Sequence, residues 1–249
     1  MLQSIVTFTD TTPGLEKSLR LFQSLCTILV GLSTTPEDLA LWVKLRAQFA
    51  LGRRYFRLLK WHPCWSNALA AFHSTQQQST PSRTAVEVTK WSFLGLYFFL
   101  EMFTISNALR VTTFEWGPKV QMEANRCWFF ALVSSILVSI YDFMLHKAPV
   151  SEKAADDADK DEKTNGHVKV KDSKAAGAKE KSSKPSSPGL AKVYQQLVID
   201  SCDIFIPGAA VNWIPVGPLV VGIASTISTT VAGYQIWIRV QQQQKAKEG

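Results

Sequence analysis

Apolar positions Leu15, Leu19, Phe22, Cys26 and Leu29 recur every three or four residues, which predicts an amphipathic helix over 14–31. Thr11-Thr12-Pro13-Gly14, followed by Glu16, opens it, and Gly31 ends it. The polar run STTPED (33–38) caps a second helix: Ser33, Thr34 or Thr35 at the cap, Pro36 in the first turn, Glu37 and Asp38 against the helix dipole. That helix is expected over 36–61, with HPCW (62–65) as its stop. Residues 74–84, STQQQSTPSRT, read as a loop.

Longer apolar runs follow. WSFLGLYFFLEMFTISNALRV (91–111) and CWFFALVSSILVSIYDFML (127–145) are near the length of a bilayer span, and each carries one acid, Glu101 and Asp142. FEWGPKVQMEANR between them is a short amphipathic or turn segment. LAKVYQQLVIDSCDIFIPGAAVNWI (190–214) is moderately apolar and broken at Pro207-Gly208. IPVGPLVVGIASTISTTVAGYQIWI (214–238) has no formal charge and is long enough to span. Strand-like alternation is missing, so the class is all-α: an integral membrane helical protein with N-terminal amphipathic helices. The regions divide into 1–85, amphipathic and cytosolic or interfacial; 86–146, a membrane-embedded helical pair; 147–189, a charged linker; 190–240, membrane-embedded helices; and 241–249, a basic tail. The linker mixes ten lysines with eight acids and is expected to be disordered.

Residues 41–61, LWVKLRAQFALGRRYFRLLKW, hold six basic residues and no acid. On a helical wheel Leu41, Leu45, Phe49, Gly52, Phe56 and Leu59 share one face. Arg46, Arg53, Arg57 and Lys60 share the other, with Trp42 and Arg54 near the boundary. A nucleic-acid helix needs aromatics exposed among its arginines, and Phe49 and Phe56 lie away from most of them. A basic face opposite an apolar one suits an interfacial helix on anionic lipid, each cation contributing about 1 kcal/mol. On this reading Lys44, Arg46, Arg53, Arg54, Arg57 and Lys60 bind headgroups, and Leu41, Leu45, Phe49, Phe56 and Leu59 insert. The alternative is packing against the protein's own helices.

The last run carries small residues four apart: Gly222, Thr226 and Thr230, and Ser225, Thr229 and Gly233. Such a stripe lets another helix approach closely, for packing or for oligomerisation. Tyr234 and Trp237 beside Arg239 resemble an interfacial belt with its basic anchor. The basic helix precedes the first span, and Arg239, Lys245 and Lys247 follow the last. Both termini therefore face the cytosol, with two or four crossings, four being preferred.

Composition narrows the chemistry. The 249 residues are 46% hydrophobic with a net charge of +7 and a mean hydropathy of +0.02. The charged linker depresses that mean, so the remainder is greasier. Cys26, Cys64, Cys127 and Cys202 form no CxxC pair and no ligand cluster with His62, His73, His146 or His167, which excludes a disulfide framework and a metal site as expectations. LFQSLCTILVGL (21–32) starts late and lacks a cleavage signature, so it is not read as a signal peptide. GxGxxG, Walker A, HExxH and GxSxG motifs are missing, so no catalytic residues and no cofactor are assigned. Glu101 and Asp142 either pair with each other, Arg110 or Arg126, line a polar path, or reach headgroups near span ends; the last is favoured.

Three blocks together resemble the peroxin-eleven family, peroxisomal membrane proteins that elongate and divide peroxisomes. TPGLEKSLRLFQ (12–23) is similar to its opening pattern through Thr12, Gly14, Glu16, Lys17, Arg20 and Gln23. KLRAQFALGRRYFRLLK (44–60) is similar to its basic amphipathic helix through Arg53, Arg54, Arg57 and Lys60. VVGIASTISTTVAGYQIW (220–237) is similar to its C-terminal span through Gly222, Ser228, Tyr234 and Trp237. Leu15, Ala50, Thr229 and Ala232 depart from the pattern, as in a divergent, fungal-type member. The resemblance implies peroxisomal membrane remodelling, elongation and fission, self-association or association with paralogues, and recruitment of dynamin-type fission machinery. In some members it implies a pore for small metabolites, the alternative function. No nucleic acid is expected as a partner.

A peptide of residues 36–62 is expected to become helical on anionic liposomes and to tubulate them; circular dichroism and electron microscopy check this, and an unstructured, unbound peptide refutes it.

Overall fold

The computed structural model describes residues 2–74, 81–147 and 189–248. They form helices α1 (Leu2–Asp10), α2 (Thr12–Leu32), α3 (Pro36–Tyr55), α4 (Trp61–Ser74), α5 (Pro81–Phe103), α6 (Ile105–Ala108), α7 (Gly117–Lys147), α8 (Leu190–Asp203), α9 (Phe205–Ala210) and α10 (Pro218–Glu248). The all-α expectation holds among the described residues. The charged linker, expected to be disordered, lies outside them apart from its first and last residues, Lys147 and Gly189, and so do residues 75–80 of the expected loop. The remainder of that loop is helical: Ser74 ends α4, and residues 81–84 open α5.

Local chemistry sets the first helices. Thr11 caps α2, its side chain accepting from the Gly14 N–H at 3.2 Å, and Thr35 caps α3, accepting from Asp38 N–H at 3.2 Å. Only Ser33, Thr34 and Thr35 separate the two helices. α3 stops at Tyr55, earlier than expected. The N–H groups of Arg57, Lys60 and His62 bond three residues back, to Arg54, Arg57 and Leu59, at 3.0 to 3.2 Å. These tight turns replace the α-helical ladder and redirect the chain. HPCW does not stop a helix. It lies in the first turns of α4, where Pro63 removes no needed donor.

Run 91–111, near span length, and run 190–214, expected to break at Pro207-Gly208, are both divided. Run 91–111 divides at Thr104 between α5 and α6. Run 190–214 divides at Ile204, one turn before Pro207-Gly208, because Pro207 has no N–H to return to Asp203. Two described helices are long and apolar enough to cross a membrane: Gly117–Met144 within α7 and Pro218–Gln243 within α10.

Paired contacts fix the helix directions. Arg83 meets Asp142 and Tyr97 stacks on Trp128, so α5 runs antiparallel to α7. Ser135 donates to Asp200 while Phe129 packs on Trp213, so α8 and the segment after α9 run antiparallel to α7. Gln235 meets Gln195, and Ser228 shares Arg20 with Asp203, so α8 is also antiparallel to α10. α7 and α10 therefore point the same way.

α2 lies along α10 from Phe8–Trp237, just before it, to Gly31–Leu219 at its end. Their backbones nearly touch. A Cβ on Gly31 would lie 2.7 Å from the Leu219 nitrogen, and one on Gly222 2.7 Å from the Ile28 nitrogen. Ser24 bonds Thr226 at 3.1 Å in the same seam. Small residues here allow the two helix backbones to approach this closely.

Gly222→Val is expected to wedge the seam open and cost about 1–3 kcal/mol, as overpacking does. Gly233→Ala, with nothing within 4 Å of the added carbon, is expected to be near neutral. Thermal unfolding in detergent distinguishes them, and equal midpoints refute the seam.

Candidate functional site

The basic, apolar stretch 41–60 lies partly on α3 and partly on the turns after it. Phe49 stacks on Phe22 with ring centroids 5.6 Å apart, and Gly52 lies over Leu19. One face of α3 thus rests on α2, in antiparallel register. Phe56 is half-buried, as is Leu45, while Leu41 and Leu59 are 49% and 71% exposed. The bend after Tyr55 is why the single helical wheel misplaces its last turn.

The basic residues are gathered inward. Glu16 of α2 accepts from Arg57 Nε at 2.9 Å through Oε1 and from Lys60 Nζ at 2.7 Å through Oε2, with Arg53 3.9 Å away. Arg53 also donates to Gln23 Oε1 at 2.6 Å. Arg54 approaches Glu101 at 3.4 Å and donates to Gln121 at 3.0 Å. Arg57 NH1 donates to the Tyr97 hydroxyl, which donates to Glu101 at 3.1 Å. A second cluster lies beside the first: buried Arg20 donates to Asp203 and to Ser228 Oγ. Lys44 stays exposed and Arg46 is half-buried.

The expectation of one free basic face therefore meets a different arrangement. The stretch contains no acid of its own, but two other helices supply carboxylates. Glu101 does not reach toward headgroups: it is buried against Arg54 and Arg57. Neither Arg110 nor Arg126 pairs with it; Arg126 pairs with Glu123 at 2.7 Å. Asp142 is held by Arg83. Sequence reasoning read Glu16 as a helix-opening acid, marked Arg20 and Gln23 only as pattern residues, and assigned no role to Tyr97, Gln121 or Asp203. The signal was present in part: the acid-free stretch needs acids from elsewhere, and Glu101 is an isolated acid in an otherwise apolar run.

Electrostatics follows from this geometry. Burial alone would raise the Glu16 carboxyl, but the charges of Arg57 and Lys60 outweigh it and hold the group well below the usual carboxylate range. Burial, helped by neighbouring Arg20, pushes the Lys17 ammonium down to about 8. Of the small-residue stripe, Gly222, Ser225 and Thr229 are buried and Thr226 half-buried, and Gly222 and Thr226 meet α2 directly. Gly233 borders a shallow groove with Phe8 and Trp237. Among the described residues no group of three metal-ligating side chains is assembled, and the cysteines are free thiols.

Residues 2–237 match the family described as Peroxisomal biogenesis factor 11 (PEX11). The chain is also similar to the peroxisomal membrane protein PMP27 of Saccharomyces cerevisiae, 29% identical over 149 residues, which covers 59% of this chain and 61% of the relative's length. No solved structure matches.

Breaking a buried ion pair by removing one partner costs about 3–5 kcal/mol; Glu16→Gln is expected at the low end, because Lys60 is 41% exposed. Since the folded Glu16 carboxyl is depressed, its contribution is complete above the ordinary value of 4.5 and is lost progressively as pH falls below it. The unfolding midpoint should therefore drop on acidification below about pH 4.5, and drop less steeply in Glu16→Gln. Parallel pH profiles for the two proteins refute the clamp.

Proposed function

Because the chain belongs to the PEX11 family of peroxisomal biogenesis factors, we propose that it shapes the peroxisomal membrane to promote elongation and division, using residues 41–60 as a wedge that is released from α2. The observation that carries this reading is the cover over Phe49, Arg53 and Arg57 by α2, with Glu101 of α5 closing over Arg54 and Arg57. α3 runs along α2, and α2 runs along α10, a helix long enough to span. Docked in this way, α3 follows the bundle axis. To lie in the plane of a leaflet it must leave α2, which breaks the Glu16 clamp and frees Phe49 and Arg53, and it must give up the contacts of Arg54 and Arg57 with α5. Anionic lipid supplies the replacement counter-charges, at about 1 kcal/mol for each cation near the surface.

The same reading gives a membrane arrangement. Two spans pointing the same way require a crossing between them, and the antiparallel α8–α9 segment supplies it. α5, antiparallel to α7, supplies a fourth. Four embedded helices place the end of α7, the start of α8 and Arg239 on one side, the cytosolic side by charge bias, and both termini with them. Gly222 and Thr226 lie in the α2 seam, so we assign self-association to the outward row Phe130, Leu137, Ile140 and Met144 of α7. Recruitment of dynamin-type fission machinery belongs to the same proposal and rests on family membership.

The test is a tether. Leu19 and Gly52 face each other across the α2–α3 contact. Full-length protein carrying Leu19→Cys and Gly52→Cys, bridged by a short cleavable thiol cross-linker in anionic liposomes, is expected to lose tubulation and regain it on cleavage. Undiminished tubulation by the bridged protein overturns the release mechanism.

A further inference from the structure

A cavity of about 560 Å³ opens where α2, α3, α5, α7, α9 and α10 meet. It lies within the size range of small-molecule sites. Arg46, Arg53, Arg54 and Arg57 line it, and Glu101 is the one acid in its wall. Behind that wall Lys60 and Glu16 join the network, so five cations face two carboxylates. Arg46 has no acidic partner among the described residues. Arg53, more than nine-tenths buried, keeps its Nε–H without an acceptor among them. The remaining wall is mixed: Gln23, Gln121 and Asn125 are among its polar residues, and Trp128, Ile206 and Val221 among its apolar ones.

A surplus of desolvated guanidinium groups is costly unless an anion completes it. Planar guanidinium forks match phosphate oxygens in paired hydrogen bonds. We propose that this cavity binds a phosphate-bearing anion, held by Arg46, Arg53 and Arg54, with the rest of the ligand against the mixed wall. The phosphate belongs either to a lipid headgroup or to a soluble phosphate ester. The site exists with α3 docked, so it does not depend on the release of α3. A ligand there touches α3 and α2 at once and therefore favours the docked arrangement.

The experiment uses the full chain in phosphatidylcholine nanodiscs and reads the thermal unfolding midpoint, with native mass spectrometry for bound mass. The probes are glycerol 3-phosphate in solution and phosphatidic acid in the disc, against chloride at equal ionic strength. A rise of the midpoint with phosphatidic acid alone identifies a headgroup; a rise with glycerol 3-phosphate identifies a soluble ester. Either supports the site, and no rise with either probe overturns it. Arg46→Gln removes a cation that no described acid holds, and is expected to weaken binding about tenfold, as loss of one charge-assisted pair does. Ala50→Leu, which fills the cavity from α3, is expected to weaken it too. Weakening in either variant supports the proposal; wild-type affinity in both overturns it. The protein bridged between positions 19 and 52 is expected to bind the probe while failing to tubulate, which separates this inference from the release mechanism.

Discussion

One buried carboxylate organises the N-terminal half of this protein. Glu16 is nearly inaccessible and has Arg53, Arg57 and Lys60 around it, all from the same short stretch of chain. A lone carboxylate in such a place is expensive, and so are the guanidinium groups, but each compensates the other. The consequence is positional. The turns at 56–60 bring Arg57 and Lys60 to Glu16, while Phe49 holds the preceding helix on Phe22. Loss of the carboxylate would leave several cations with no reason to face inward.

The second carboxylate, Glu101, carries the same logic across the bundle. It joins the N-terminal helices to α5, and Gln121 extends the contact to α7. Arg20 with Asp203 and Ser228 joins α2 to α8 and α10. Polar contacts thus connect helices whose apolar faces alone would leave the register free to slide. The small-residue seam between α2 and α10 adds register: Gly31 and Gly222 permit only one close approach, and Ser24 and Thr226 mark it.

Much of the architecture was legible in the sequence. The caps at Thr11 and Thr35, the helical class and the long apolar helices follow from local chemistry and periodicity, because those signals are set within a few residues. The bend after Tyr55 was not legible. Nothing in RRYFRLLKW forbids another helical turn, and the tight bonds that end α3 are stabilised by Glu16, forty-one residues before Arg57. The fate of the arginines was missed for the same reason. A helical wheel sorts residues by angle on one element and contains no information about acids brought in by others. The break at Ile204 was nearly legible, one turn away from the proline that causes it.

The three-residue link between α2 and α3 has a kinetic meaning. Ser33–Thr35 joins one end of α3 to α2, which is itself fastened along α10, and the turns at 56–60 lead directly into α4 at the other end. A segment held at both ends cannot diffuse away. Its neighbour sees it at the high local concentration that short linkers impose, so the undocking that the release proposal requires is a unimolecular step. Under the release proposal, the fraction of exposed wedges is then set by the lipid and ligand around each molecule, and not by how many copies the membrane holds.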